Sequence, residues 1–437
     1  MSKKLNTTPI SGMQEFLPAT QVIFDQIKSQ ITETYRAHGF QHIETPTIDR
    51  NDILFAKAGG DTEKQIYRVI KTTESADASD QSLRFDHTVP LARYIVEHES
   101  SLQFPFRVYQ IGRNFRGERA QKGRFREFYQ CDVDIIGRGE LPLIYDAQVI
   151  YTFYSALKTF VSTPIKIRLS NRKFIKGILE SLDLAAQSEQ IYSIIDHSEK
   201  VPAEKTESAL KDLGLSEENV VKITTLINTH GSYDKIARLG YENVGLAELK
   251  QVYQELTDLG LESSIEIDLK IVRGLDYYTG TVFEAVLPDF PELGSIGGGG
   301  RYDNLASNYT DQKFPGVGAS IGLSRLFYVL SENNLLEGDT KSDQNADSAG
   351  SAAPVIDYAV IPLDTEVRKT AYQLAEKLRQ DGSSVDVILA DKKLGDLMKH
   401  ASKIAKCGIV VGSEEAKSHI FKVKDFASGK QNELRLK

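Results

Sequence analysis

The segment FRVYQIGRNFRGERAQKGRFREFYQCDVDIIG, residues 106–137, has the local composition best suited to chemistry. Over residues 107–126, Arg107, Arg113, Arg116, Arg119, Arg124 and Arg126, joined by Lys122, stand against one acid, Glu118. A guanidinium is a planar fork that matches two phosphate oxygens at once, so a strand, basic loop and strand of this kind can hold a polyphosphate or an RNA backbone. A solvated charged turn has the same composition. Past the loop, period two puts Gln130, Asp132 and Asp134 on one strand face and Cys131, Val133 and Ile135 on the other. Acids so placed either receive a cationic substrate group or pair with the neighbouring arginines.

Three further segments have chemical potential. GSIGGGGRYDN, residues 294–304, frees the backbone for close approach to a ligand, although four glycines also suit a permissive turn. GVGASIG, residues 316–322, lacks the third-glycine spacing and the surrounding βαβ unit of a dinucleotide fingerprint, which excludes that cofactor. No GxxxxGK[ST] occurs, so an ATP site here is not of the P-loop kind. Arg325, within GLSRLFYVL, is an isolated cation on an apolar helix that either snorkels or meets an anion. VRGLDYYTGTVFEAV, residues 272–286, offers one arginine, one aspartate and two tyrosines. They are hydrogen-bond partners for an imidazole or amine, or the rings of a packed hairpin.

The elements that must position these groups follow from periodicity. Val22, Ile23, Ile27, Ile31 and Tyr35 predict a helix over 19–39 that stops at Gly39. FQHIETP, 40–46, predicts a strand ending at an edge or interface. Strands are predicted over 65–70, 81–85, 106–111, 127–136, 165–169, 264–272 and 281–286, with few helical crossovers between them, which favours a mainly antiparallel sheet. Residues 171–261 read as a helical insertion into that sheet domain. The polar, small-residue run 337–354 reads as a flexible linker. Beyond it β and α patterns alternate, predicting a small α/β domain with a parallel sheet.

Composition sets outer bounds. The 437 residues carry a net charge of −8, which argues against indiscriminate coating of nucleic acid but not against a local RNA surface. Residues 356–437 hold 15 basic and 12 acidic side chains, about +3, so the opposite sign is concentrated in the preceding chain. Two cysteines and eight scattered histidines without an HExxH pair exclude a disulfide scaffold and give no metal site. No apolar run approaches the ~20 residues a bilayer requires and no signal-peptide core is present, so a cytoplasmic chain without membrane partners is expected.

In combination and order these segments resemble the class II aminoacyl-tRNA synthetases, and among them the histidyl-tRNA synthetases, over nearly the whole chain. GFQHIETP (39–46) resembles motif 1, NFRGE to FREF (114–128) motif 2, and GVGASIGLSRL (316–326) motif 3. VRGLDYYTG and GGGGRYDNL are similar to the two signatures that select histidine. The resemblance implies an α+β fold. A class II catalytic domain over 1–336, an antiparallel sheet flanked by helices, is interrupted by the insertion at 171–261. A linker at 337–355 and an α/β anticodon-binding domain at 356–437 follow.

It also implies a homodimer and a two-step reaction. L-Histidine and ATP, which comes with Mg2+ as co-substrate, give histidyl-adenylate and pyrophosphate; the histidyl group then passes to histidine tRNA. No tightly bound cofactor is implied. Carried over by position, Arg116 and Arg273 are the catalytic cations at the α-phosphorus. Glu118 and Phe128 engage adenine, and Arg124 and Arg325 hold the outer phosphates. Asp86, Thr88 and Gln130 bind the α-amino group; Asp134, Tyr278 and Tyr302 surround the imidazole, with Arg273 also beside the histidine. Arg119 and Gln121 match positions used on the extra 5′ guanosine of the tRNA, and the insertion lies against the acceptor arm. Where the family often carries glutamate, Asp86 and Asp134 are one methylene shorter. Ser11 and Glu15 replace a common arginine and aspartate, and the linker is longer than usual. A regulatory paralogue that senses histidine without charging tRNA would lack the C-terminal module and the catalytic arginines. A structural RNA-binding protein would leave the tyrosine and acid constellation unexplained.

Overall fold

A computed structural model describes residues 5–56, 63–73, 79–120, 123–272, 278–336 and 356–435. Its contacts divide the chain into two units, residues 1–14 with 27–337 and residues 15–26 with 338–437.

The helix Pro18–Ala37 ends where the periodicity predicts. Gly39 adopts φ +81° and its N–H reaches back to Arg36 O at 3.0 Å, a left-handed stop open to glycine at little cost. Ile27, Ile31 and Tyr35 are fully buried. In chain order the first unit then supplies β1 (Gln41–His42), β2 (Ile48–Arg50), β3 (Arg68–Val69), β4 (Gln81–Leu83), β5 (Phe106–Phe115), β6 (Glu127–Ile136), β7 (Lys166–Asn171), β8 (His230–Gly231), β9 (Ile265–Asp268), β10 (Thr281–Val286), β11 (Ser295–Tyr302) and β12 (Gly316–Ile321).

Among the described residues β2, β4 and β3 make a small sheet, and the other nine strands make one large sheet in the order β1-β5-β6-β12-β11-β10-β7-β9-β8. Its pairings are antiparallel except at β1 with β5 and β7 with β9, both parallel. The sheet is therefore mainly antiparallel as expected, with parallel joints toward its ends. The second joint exists because the chain leaves β7, runs through the helical insertion and returns beside β7 as β9. In the insertion Asn171 caps the first helix, Arg172–Ser181, by accepting from the N–H groups of Lys173 and Phe174. The last insertion helix, Val244–Asp258, approaches it so closely that a Cβ on Gly245 would lie 1.9 Å from Phe174 N.

Two glycine segments are strands, the first of them where a permissive turn is the alternative. Gly297 to Gly300 lie in β11 and Gly316 to Gly322 begin with β12, both central in the sheet. Glycine is required sterically: a Cβ on Gly299 would sit 2.0 Å from Gly318 O, and one on Gly297 would meet the Phe153 ring at 3.0 Å. Phe153 belongs to the helix Ile144–Lys158, which covers the sheet face carrying Cys131, Val133 and Ile135.

The second unit holds β13 (Ile356–Pro362), β14 (Val385–Val387), β15 (Ala405–Val411), β16 (Ile420–Asp425) and β17 (Gln431–Arg435). β14, β13 and β15 run parallel, as the alternating pattern predicts; β16 and β17 add as an antiparallel hairpin, so the sheet is mixed. The helix Arg368–Gln380 buries Ala371, Leu374 and Ala375 against one face, with Phe421, and Leu394–Ile404 buries Leu397 and Ala401 against the other.

Candidate functional site

Sheet register builds the site on the face away from Phe153. One row runs Gln110 on β5, Asp132 on β6, Ser320 on β12, Gly298 on β11, Glu284 on β10 and Arg168 on β7. The next row runs Val108, Asp134, Gly318, Gly300, Val282 and Ser170. The glycines of these rows make a hollow into which neighbouring side chains lie down. A Cβ on Gly318 would fall 1.9 Å from Asp134 Oδ1, and one on Gly300 2.9 Å from the Tyr278 ring.

Asp86, Thr88, Arg116, Gln130, Asp134, Tyr278 and Tyr302, drawn from well-separated parts of the chain, line one cavity together with Asp132, Gly318, Ala319 and Ser320. A second, larger cavity shares Arg116, Gln130, Tyr278 and Ser320 with the first and extends past Glu284 and the β11 glycines to Arg325. Arg116 therefore stands where the two meet. Its guanidinium carbon lies 4.3 Å from the Phe85 ring centroid and 5.0 Å from that of Phe128, and its Nε donates to Phe85 O at 3.3 Å. Held on two rings and a carbonyl, this cation is fixed before any ligand arrives.

The first cavity is acidic. Burial pushes the Asp134 carboxyl up to about 8, the charge of Asp132 adds to that, and the hydrogen bond from Tyr302 Oη to Asp134 Oδ1, 2.7 Å, works against it. Burial also raises Asp86, opposed by the Val89 N–H that its Oδ1 accepts at 3.0 Å and by Arg116. The Tyr278 hydroxyl is raised by burial and then by Asp134, Asp132 and Asp86. Three carboxyl groups thus face one small space, an arrangement that a cationic ligand relieves.

The second cavity is bordered by cations. Burial and the like charge of Arg124 lower the pKa of Arg325, while Glu118 and Glu284 oppose that effect. Arg124 lies 3.5 Å from Glu118, whose backbone carbonyl accepts from Arg126 Nε at 2.9 Å. Arg119 is exposed. Arg273 and Gln121 lie outside the described residues.

Four side chains absent from the expected site set complete the geometry: Asp132, Ser320, Asn114 and His87. Period two had placed Asp132 on the correct face. Its partners come from β12 and from the start of the helix Thr88–His98, 188 and 45 residues away, so no local signal announces them.

Residues 12–326 match the family model described as histidyl-tRNA synthetase. The chain belongs to the histidyl-tRNA synthetase family. A second match, to an anticodon binding domain, covers residues 357–437. The chain is 41% identical to the histidine–tRNA ligase of Clostridium tetani, over 98% of this chain and 95% of that one. It is 38% identical to the histidine–tRNA ligase of Clostridium acetobutylicum, over 100% and 99%. The crystal structure of histidyl-tRNA synthetase from Nostoc sp. PCC 7120 superimposes with a TM-score of 0.86 at 34% identity, covering 99% of this chain and 97% of that one. The fold of this histidyl-tRNA synthetase family member is accordingly that of the class II enzymes, with its anticodon module. Among its described residues no three His, Cys, Asp or Glu side chains are grouped to hold a metal ion, and no helix is long and apolar enough to cross a membrane.

Proposed function

We propose that this chain activates L-histidine with ATP, brought in with Mg2+, to histidyl-adenylate and pyrophosphate, and then transfers the histidyl group to histidine tRNA with release of AMP. The observation that carries the residue assignment is the position of Arg116, a fixed cation at the junction of an acidic cavity and a cation-bordered one. Histidine occupies the acidic side. Asp86, Thr88 and Gln130 take its α-ammonium; Asp134, Tyr278 and Tyr302 take its imidazole, whose polar groups leave partners unpaired if an apolar isostere enters. The carboxylate then points toward Arg116 and the α-phosphorus of ATP.

In the first step a carboxylate oxygen attacks that phosphorus and pyrophosphate departs with the bonding electron pair. Negative charge grows on the non-bridging oxygens, where Arg116, already held by Phe85 and Phe128, stabilises it without reorganising. Arg273 is the second cation at this point. Glu118 and the Phe128 ring receive adenine. Arg124 exchanges Glu118 for the outer phosphates, and Arg325 holds the terminal one. In the second step a ribose hydroxyl at the tRNA 3′ end attacks the histidyl carbonyl and AMP leaves. Arg119 and Gln121 meet the tRNA 5′ end, the insertion over 171–261 lies along the acceptor arm, and residues 356–437, tethered by 337–355, read the anticodon. The functional unit is a homodimer in the cytoplasm, with the catalytic domain spanning 1–336.

Histidine-dependent exchange of labelled pyrophosphate into ATP tests this reading. The folded wild-type protein should exchange with histidine and with no other standard amino acid; a folded protein that does not exchange overturns it. Arg116→Ala should lower the exchange rate by about 100-fold or more while leaving the melting temperature nearly unchanged.

A further inference from the structure

We infer that Asp132 is a further substrate-binding residue, a second carboxylate beside Asp86 that faces the α-ammonium of histidine, and that Ser320 and His87 position it. The inference rests on the reading that the acidic cavity binds histidine.

Asp132 lines that cavity together with Asp86 and Asp134, yet only 4% of it is exposed. A buried carboxylate needs donors, and here they come from both sides. On one side a directed chain of hydrogen bonds ends at it: Asn114 Nδ2 donates to Gln130 Oε1 at 2.7 Å, Gln130 Nε2 to Ser320 Oγ at 2.7 Å, and Ser320 Oγ to Asp132 Oδ1 at 2.5 Å. Every donor in that chain points toward Asp132. On the other side His87 Nδ1 lies 3.1 Å from Asp132 Oδ2, with His87 only 1% exposed. Each carboxylate oxygen retains a second lone pair after these bonds, and the cavity is the space those lone pairs can serve.

Gln130 gives the complementary argument. Its amide is held by Asn114 at the oxygen and by Ser320 at the nitrogen, so it is an anchored polar wall with no charge of its own. Asp86 is engaged in capping the helix Thr88–His98 through the Val89 N–H. Of the cavity's acids, Asp134 accepts from Tyr302 on the imidazole side. Asp132 is held by two side-chain hydrogen-bond partners, Ser320 across the sheet row and His87 from the start of the helix Thr88–His98, which is how a site holds a counter-ion in place for a substrate ammonium.

The test compares three ligands by calorimetric titration on the full chain: L-histidine and L-histidinol, which carry the ammonium, and imidazole-4-propionate, which does not. Asp132→Asn, isosteric and still able to accept from Ser320, should weaken the first two by about 10- to 100-fold and the third by less than about twofold. Unchanged histidine binding, or equal weakening of all three ligands, overturns the inference. His87→Leu should reproduce the ammonium-selective loss and His87→Asn, which keeps a donor near Nδ1, should restore it; loss without selectivity assigns His87 to the fold alone and removes its positioning role. Should Asp132→Asn fail to fold, Ser320→Ala decides in its place: selective loss supports the role, and equal or no loss overturns it. Wild-type protein that binds no histidine removes the functional reading itself, whereas wild type that binds it beside an unaffected Asp132→Asn removes only this inference.

Discussion

At the scale of single residues, the acidic cavity makes stability depend on pH. Asp134 is 5% exposed, and burial, with the charge of Asp132, pushes its carboxyl from 3.8 up to about 8. Between those two values the folded chain holds a proton that the unfolded chain has released. Stability therefore falls as pH rises through this window, by up to about 1.4 kcal/mol per pH unit for one proton. Asp134→Asn has no such proton to lose. Melting followed from pH 5 to pH 8.5 should show the wild type losing several degrees relative to the variant, and parallel curves would show that Asp134 titrates as an ordinary carboxyl. Asp146 makes the contrast. It is buried as deeply and raised only to about 6, because Arg301 Nη1 lies 2.8 Å away and offsets the burial. That ion pair also locates the site. Arg301 donates to Asp303 at 3.1 Å, Asp303 accepts from Thr279 Oγ1 at 2.6 Å, and Arg301 O accepts from Thr279 N at 2.8 Å, immediately after Tyr278. Arg301→Met should unfold more easily by about 3 to 5 kcal/mol, since it strands the Asp146 charge, and denaturant titration measures this. Asp303→Asn, by contrast, should leave stability close to wild type and raise the KM for histidine, by releasing Thr279 and with it Tyr278.

At the scale of elements, the glycine strands decide both what the sequence reveals and how the pocket is shaped. β5, β6 and β10 are legible because their side chains alternate, and the insertion helices are legible because Phe174, Ile175, Ile178 and Leu179 recur at helical spacing and are all buried. A glycine run has no side chains to alternate, so β11 reads equally well as a turn; only its neighbours on both sides make it a strand. The two parallel joints escape for a related reason, since β1 and β9 are placed by what they pack against and not by their own pattern. The same limit hides the partners of Asp132, because His87 and Ser320 reach it through chain separations of 45 and 188 residues. The glycines themselves are testable. Gly318→Ala would set a methyl 1.9 Å from Asp134 Oδ1, an atom already held by Tyr302. The expected result is a KM for histidine raised by about tenfold or more with the KM for ATP nearly unchanged, because the second cavity lies along β11 toward Arg325. Gly299→Ala would meet backbone, Gly318 O at 2.0 Å, and should instead lower the melting temperature with no selectivity between substrates.

At the scale of the whole molecule, charge and core are divided in the same way. The module over 356–437 closes its own two cores, Val360, Ile409, Val411 and Phe421 on one sheet face and Ala359, Ile361, Leu397 and Ala401 on the other. It carries about +3 while the rest of the chain carries the negative excess. A basic module with its own core can bind a polyanion without taking part in chemistry at a sheet that shares no residue with it. Amino-acid activation needs only histidine and ATP, and the residues proposed for both lie between Asp86 and Arg325, whereas charging also needs tRNA to be held. An isolated hairpin carrying the anticodon loop of histidine tRNA should therefore inhibit charging competitively with respect to tRNA and leave histidine-dependent pyrophosphate exchange unchanged. A contact made through phosphates by a module of net charge about +3 predicts that inhibition weakens steeply as salt is raised from about 50 to 200 mM. A hairpin of the same length with a scrambled loop should compete less well at every salt concentration. Inhibition of exchange by the hairpin would instead make the module part of the activating machinery, and equal competition by both hairpins would reduce it to an electrostatic tether.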